Sequence, residues 1–312
     1  MKHEIVITAP GHKGTLERLQ NEFSAIKLWE APDRDAALKA AAPRLRALAH
    51  FGNARVDGKL MDALPKLELI SNFGVGVDQI DLDAARQRDI IVTNTPDVLN
   101  ECVADCAMSL VLNTLRKLPQ AENWLRSGYW ATRGPYPLTT SLGGKTLGVL
   151  GLGRIGEAIA KRATAFGMRI RYHNRSKKNV PYPYDANPVA LAKNSDVLMV
   201  VTPGGAGTAR LVNAAVLDAL GPEGYLVNVA RGSVVDEPVL LRYLQEGRIA
   251  GAGLDVFANE PDVPAAFYAL DNAVLYPHVA SATVETRKAM GDLQVENLHL
   301  HFAGKPVKTP VT

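Results

Sequence analysis

Cysteine is scarce, two among 312 residues, which excludes a small scaffold held by disulfides. Cys102 and Cys106, in NECVADCAMSLVL, stand four apart on one helical face with no His or further Cys nearby. That is too few donors for a zinc site, so they read as small core residues in a reducing compartment. A surplus of charge is also lacking: 35 Lys and Arg against 32 Asp and Glu leave +3. So small an excess argues against a nucleic-acid partner, although a local basic spot suffices for a small anion. No apolar run approaches the ~18 residues of a membrane span. MKHEIVITAP has no apolar stretch after its charges, so it reads as a first strand and not as an export signal. Neither an internal repeat nor a low-complexity tract is visible. The expected location is the cytosol.

Apolar residues make up 47% of the chain and charged residues 21%, the balance of a globular protein long enough for two domains at about 150 residues each. Short β-branched runs alternate with segments of helical period: a strand over Glu4–Thr8, a helix from about Thr15, a strand over Ala25–Leu28, then an Ala-rich helix expected to run through Leu48. Leu67–Asn72 and Ile90–Asn94 read as further strands. This alternation predicts βαβ units and parallel sheets. From Val98 to about Leu118 the pattern predicts one long apolar helix that must lie between packed bodies. GYWATRGPYPLTTSLGG, without period, reads as a long loop. A second βα series starts at Lys145.

KTLGVLGLGRIGEAIAKRATAFG joins a strand, Thr146–Leu150, to a helix whose Ile155, Ile159, Ala163 and Phe166 recur on one face before Gly167. Between them stand Gly151, Gly153 and Gly156, spaced as a dinucleotide fingerprint. Gly151 permits the tight turn, Gly153 the approach of a pyrophosphate, and Gly156 close helix-to-strand packing. The helix N-terminus then offers free N–H groups and partial positive charge to the phosphates. After the next strand, Met168–His173, the place where a carboxylate would hold the ribose 2′-OH carries Asn174, followed by Arg175 and Ser176. No carboxylate occurs until Asp185. A guanidinium and a hydroxyl suit a 2′-phosphate, so NADP(H) is expected, with NAD(H) the second choice.

Three polar residues follow apolar strand-like runs: Arg231 in LVNVARGSVVDE, Glu260 in AGLDVFANEP and His278 in VLYPHVASAT. With NFGVGVDQID and GKTLGVLGLGRIG these five ordered motifs resemble the D-isomer-specific 2-hydroxyacid dehydrogenase family, and within it the glyoxylate and hydroxypyruvate reductase branch. The resemblance runs almost end to end. It implies that Arg231 holds a 2-oxo acid, that His278 exchanges a proton with the carbonyl oxygen, and that Glu260 orients the imidazole and favours its charged form. It also implies that Val75 and Gly76 receive the substrate carboxylate and that Asp255 bonds the nicotinamide carboxamide. Arg154, Ile155, Val201, Thr202, Pro203, Val229, Ala230 and Ala280 are expected to line the coenzyme site. GGAGT after Pro203 departs from the family's usual acidic string. Phe51 and Gly52, in HFGNAR, would crowd the reacting carbon and favour glyoxylate or hydroxypyruvate over aromatic 2-oxo acids.

The expected architecture is α/β, two Rossmann-like doubly wound parallel-sheet domains with the active site in the cleft between them. One domain is discontinuous, 1–98 with 288–312, and the dinucleotide domain spans 99–287. A homodimer is expected through the long helix, with Trp130, Arg133 or Tyr136 able to reach a neighbouring site. No metal, nucleic acid or membrane is implied. His299 and His301 read as surface or packing residues. Hydroxyphenylpyruvate reduction is the alternative within the family, ahead of NAD-dependent D-3-phosphoglycerate dehydrogenation, which predicts an acid near Asn174 and often a regulatory tail. A dinucleotide-sensing corepressor is the alternative of another class; a disordered extension beyond Thr312 would be expected of it.

Overall fold

The structure, a computed structural model, describes residues 2–312. In chain order its elements are β1 (Glu4–Ile7), α1 (Lys13–Glu22), β2 (Ser24–Lys27), α2 (Arg34–Ala41), β3 (Ala47–His50), α3 (Gly58–Asp62), β4 (Leu69–Asn72), α4 (Leu82–Arg86), β5 (Ile91–Thr93), α5 (Asn100–Arg116), α6 (Leu118–Arg126) and α7 (Tyr129–Arg133). There follow β6 (Thr146–Leu150), α8 (Arg154–Ala165), β7 (Arg169–His173), α9 (Pro188–Lys193), β8 (Val197–Val200), α10 (Ala214–Leu220), β9 (Tyr225–Asn228), α11 (Glu237–Gln245), β10 (Gly251–Leu254), β11 (Ala273–Leu275) and α12 (Val284–Phe302). The chain divides into unit 1, Met1–Leu99 with Thr283–Thr312, and unit 2, Asn100–Ala282. The return to unit 1 falls at Thr283 and not at 288, because Thr283 caps a helix that is continuous from Val284.

Unit 1 is a five-stranded sheet in the order β2-β1-β3-β4-β5, parallel throughout. Its central strands β3 and β4 are wholly buried, the composition of a sheet covered on both faces. The Ala-rich helix stops at Ala41 and does not reach Leu48. Pro43 has no N–H with which to continue it, and Ala47–His50 gains a ladder on both sides, with β1 and with β4. Helix α12 closes this unit: buried Gln294 donates to the carbonyls of His50 (3.1 Å) and Ser71 (2.9 Å), tying β3 to β4.

Unit 2 is a six-stranded parallel sheet, β11-β10-β9-β8-β6-β7. Helix α5 lays Ala107, Leu110, Val111 and Thr114 on it. A Cβ on Gly253 of β10 would stand 2.5 Å from Thr114 Oγ1, so the helix lies close to the strand. Helix α5 ends where Lys117 adopts φ 47°, and α6 restarts with Pro119 in its first turn. The segment expected to be loop contains α7, with the Arg133 guanidinium 3.7 Å from the Tyr129 ring centre and Trp124 Nε1 donating to Gly134 O. Phe166 departs from the inward face of α8 and is exposed, since α8 ends one residue before it. Cys102 and Cys106 are half-buried and not core; the Cys102 thiol lies 3.2 Å from Ala280 O, and burial pushes the Cys106 thiol up to about 12. Among the described residues no helix is long and apolar enough to cross a membrane.

Candidate active site

All strands of unit 2 run the same way, so their carboxyl ends share one edge, and the sequence motifs sit there. The strand order reverses between β6 and β8, the position at which open α/β sheets form a ligand crevice. Gly151, at the end of β6, has φ +106°, and a Cβ there would meet Thr202 N at 2.7 Å. The glycine turn and the Val201–Thr202 strand end are therefore in contact across the reversal. Gly156 supports Gly151 in turn, since a Cβ on it would be 2.6 Å from Gly151 O. Gly153 faces open space, with nothing within 4 Å of an added Cβ. Two glycines that pack and one that faces a vacant approach, ahead of a twelve-residue helix N-terminus, fit a dinucleotide pyrophosphate.

The loop after β7 is more structured than its basic sequence suggests. Asn174 gives its amide to the glycine turn, accepting from Leu152 N at 2.6 Å and donating to Leu152 O at 3.2 Å. Its function in this geometry is to hold that turn. Lys178 also reaches Leu152 O (3.1 Å) and pairs with Glu157. Asp185 is unavailable to a ribose: it is buried, bonded to Arg171 at 2.8 Å and to Asn194 at 2.8 Å. Burial raises its pKa, but those donors and the Arg171 charge outweigh burial and hold the carboxyl below its ordinary range. Arg175 and Ser176, which follow Asn174 in the chain, are exposed, with no hydrogen bond or ion pair among the described residues.

Arg231, Glu260 and His278 follow the neighbouring strands β9, β10 and β11. Buried Asn228 shapes the first of these turns, accepting from Ala230 N (3.0 Å) and donating to Arg231 O (3.0 Å). A Cβ on Gly232 would lie 1.8 Å from Phe257 C, so the Arg231 turn packs directly on the chain leading to Glu260. Glu237 accepts from Ala258 N at 2.8 Å and fixes that chain. Glu260 Oε1 accepts from Phe257 N at 3.0 Å, and Oε2 lies 2.6 Å from His278 Nδ1. Burial opposes charge on Glu260, but the bonds from His278 and Phe257, with the charges of His278 and Arg231, prevail and hold its carboxyl below the usual range. The second ring nitrogen, Nε2 of His278, has no partner among the described residues.

Asp255 behaves differently from the expectation of a nicotinamide contact. It has no exposed surface, and its two oxygens accept from Val279 N (2.7 Å) and Ala280 N (2.9 Å). Its main-chain oxygen takes His278 N at 2.8 Å. The side chain thus holds the turn in which His278 stands at φ +53°. Burial pushes the Asp255 pKa up, only partly offset by the two amides and His278.

In unit 1 the 74–76 turn is built to expose amides. Asn72 Nδ2 donates to Gly74 O (3.1 Å) and Gly76 O (2.9 Å), Asn94 Nδ2 donates to Val75 O (2.9 Å), and Gly74 N donates to Thr95 Oγ1 (3.1 Å). All three carbonyls are therefore taken inside, and the amides of Val75 and Gly76 have no acceptor among the described residues. The sequence signal for Asn72 and Asn94 is an Asn at the end of an apolar strand, as at Asn228. Gly52, at φ +64°, is exposed with open space around it. Phe51 corrects an expectation: its ring is 1% exposed, stacked on Phe73 at 5.0 Å and packed with Ile5, Ile7 and Leu19. A ring in the apolar core does not limit substrate size. Among the described residues no group of three or more His, Cys, Asp or Glu could hold a metal.

A glycine turn for a pyrophosphate and a carboxylate-bound imidazole beside a guanidinium, gathered along one sheet edge, define the class: a dinucleotide-dependent oxidoreductase of the doubly wound α/β type. Residues 108–280 match the model of the D-isomer specific 2-hydroxyacid dehydrogenase NAD binding domain. The chain is 48% identical over 296 residues to hydroxyphenylpyruvate reductase of Plectranthus scutellarioides, covering 95% of this chain and 94% of that one. It is 47% identical over 294 residues to glyoxylate/hydroxypyruvate reductase A of Arabidopsis thaliana, covering 94% of each. Among solved structures it is similar to the NADPH-dependent glyoxylate/hydroxypyruvate reductase of Sinorhizobium meliloti in complex with NADP and malonate, at TM-score 0.94 and 48% identity, over 100% of this chain and 97% of that one. The chain belongs to the D-isomer-specific 2-hydroxyacid dehydrogenase family.

Proposed function

We propose that this protein reduces small 2-oxo acids, glyoxylate to glycolate and hydroxypyruvate to D-glycerate, with NADPH. The carrying observation is the 2.6 Å bond between His278 Nδ1 and Glu260 Oε2, which leaves Nε2 without a protein partner. Gly151, Gly153 and Gly156 with the N-terminus of α8 would hold the pyrophosphate, and Arg175 with Ser176 the 2′-phosphate. Bound NADPH supplies the hydride. Arg231 would hold the substrate through its planar donors, fixing which carbon is presented. His278 would give the Nε2 proton to the carbonyl oxygen as negative charge develops there, with Glu260 stabilising the imidazolium beforehand. In unit 1, the outward amides of Val75 and Gly76 are our proposed seat for a carboxylate.

Aromatic 2-oxo acids form the second reading, favoured by the burial of Phe51 and by the hydroxyphenylpyruvate reductase relative. A spectrophotometric panel of glyoxylate, hydroxypyruvate, hydroxyphenylpyruvate and pyruvate against both coenzymes tests these readings. Failure of all four acids to oxidise NADPH would refute the first and the second together. We also propose a cytosolic homodimer. Leu118 and Phe166 are exposed and line a groove of about 340 Å³ along α5, and Leu125, Trp130 and Leu138 are also exposed on unit 2. Sedimentation at a mass near 33.6 kDa, the single chain, would refute the dimer. Of the residues considered for reaching a neighbouring site, Tyr136 packs on Trp124 and Arg133 on Tyr129, while Trp130 is exposed.

A further inference from the structure

Unit 1 is itself a doubly wound sheet, and its order β2-β1-β3-β4-β5 reverses between β1 and β3. Open α/β sheets take ligands beyond the carboxyl ends of the strands at such a reversal. A groove of about 310 Å³ lies there. Its lining comes from three successive connections: Thr8 directly after β1, Leu28 directly after β2 with Arg34 and Asp35 at the start of α2, and Arg55 between β3 and α3. None of the residues assigned above to coenzyme or substrate lines it.

Three donors of this groove are not spent within the protein. Arg34 and Arg55 are exposed and have no hydrogen bond, ion pair or ring contact among the described residues. Asp35 lines the groove as well, yet forms an ion pair with neither. Thr8 is 4% exposed; its Oγ1 accepts from Phe51 N at 3.0 Å, while its own hydroxyl has Phe51 O at 3.5 Å as acceptor. That is well beyond the ~2.7–2.8 Å typical of an O–H donor, so the proton is available to a better acceptor. Asp33 caps α2 by accepting from Asp35 N and Ala36 N, so side chains and not the helix end supply the donors. Arginine keeps its charge at any physiological pH, so the positive charge of the groove depends on no titration.

We propose that this groove is a second ligand site, which binds the phosphate group of a small phosphomonoester. Two guanidinium forks and one hydroxyl donor match the three terminal oxygens and nearly double negative charge of such a group. A monocarboxylate such as a 2-oxo acid has two oxygens and one charge, and would leave a donor and a charge unanswered. For the rest of the ligand, Leu28 and Leu60 offer an apolar wall and Asp35 an acceptor for a hydroxyl group. The groove stands at the lower limit of ligand-pocket volumes, which suits a body of a few carbons and not a nucleotide. The site uses none of the residues on which the proposed reduction of 2-oxo acids rests.

The probe is glycerol 3-phosphate, titrated into enzyme saturated with NADP and oxalate so that the coenzyme and substrate sites are occupied, and followed by the probe's own phosphorus resonance. Saturable binding, millimolar or tighter, is expected, about tenfold weaker in Arg34→Ala and in Arg55→Ala and lost in the double variant. Both side chains are unbonded inside the protein, so these variants should melt and turn over glyoxylate as the wild type does. Glycolate, a monoanion, should not compete. Inorganic phosphate should bind more weakly than the ester, because it leaves the leucine wall and Asp35 unused. No saturation in the wild type, undiminished affinity in the double variant, competition by glycolate, or equal affinity for inorganic phosphate and the ester would each overturn the proposal. A wild-type enzyme inactive on every 2-oxo acid would sink the proposed function, while the titration would still judge this groove.

Discussion

Arg175 gives the sharpest test of coenzyme choice. Its guanidinium has no hydrogen bond or ion pair among the described residues, so its removal breaks nothing inside the protein. A hydrogen bond to a charged partner contributes ~1.5–3 kcal/mol, and at this exposed position the lower end applies. About 1.5 kcal/mol is close to a tenfold change. Arg175→Ala should therefore lower kcat/KM for NADPH about tenfold and leave that for NADH within about twofold, because NADH carries no 2′-phosphate. Lys178→Ala is the internal contrast. Lys178 spends its ammonium on Leu152 O and Glu157, at the glycine turn common to both coenzymes, so its loss should weaken NADPH and NADH alike. The assay is absorbance decay of each coenzyme at saturating glyoxylate. Equal losses for the two coenzymes in Arg175→Ala would refute the assignment and return the loop to a solvated basic segment.

Three further outcomes are expected. His278→Ala should cut kcat by roughly 10² or more while coenzyme affinity, read by fluorescence titration, stays near wild type; normal turnover would remove the proton donor. The lowered Glu260 carboxyl contributes stability that is present above the usual carboxylate range and is lost as pH falls through its still lower folded value. Thermal melts should accordingly show wild type and Glu260→Gln converging below about pH 4 and diverging above it; parallel curves would contradict the sign. Phe51→Ala should cost about 3–5 kcal/mol in denaturant unfolding without widening the range of accepted 2-oxo acids, since the ring packs in the core. A new activity on hydroxyphenylpyruvate would contradict that placement.

Local pattern carried the strand–helix alternation, the glycine turn, and the three polar residues at strand ends, because each depends on neighbours within one short motif. It misled where a remote partner set the outcome. ALAH continues an Ala-rich stretch, and only the ladders with β1 and β4 make it a strand. Phe51, beside an exposed glycine, reads locally as a substrate contact, whereas Gly11 and Phe73 give its ring a place in the core.

The sequence by itself determined two α/β sheets, the glycine turn after β6, and which polar residues, Arg231, Glu260 and His278, stand beyond strand ends. Only the tertiary structure decided that Asp255 serves the turn of His278 and that Asn174 serves the glycine turn. The physical reason is that a motif specifies which donors and acceptors the chain possesses. Which of them remain unsatisfied, and so available to a ligand, is fixed by distant segments meeting in the folded state.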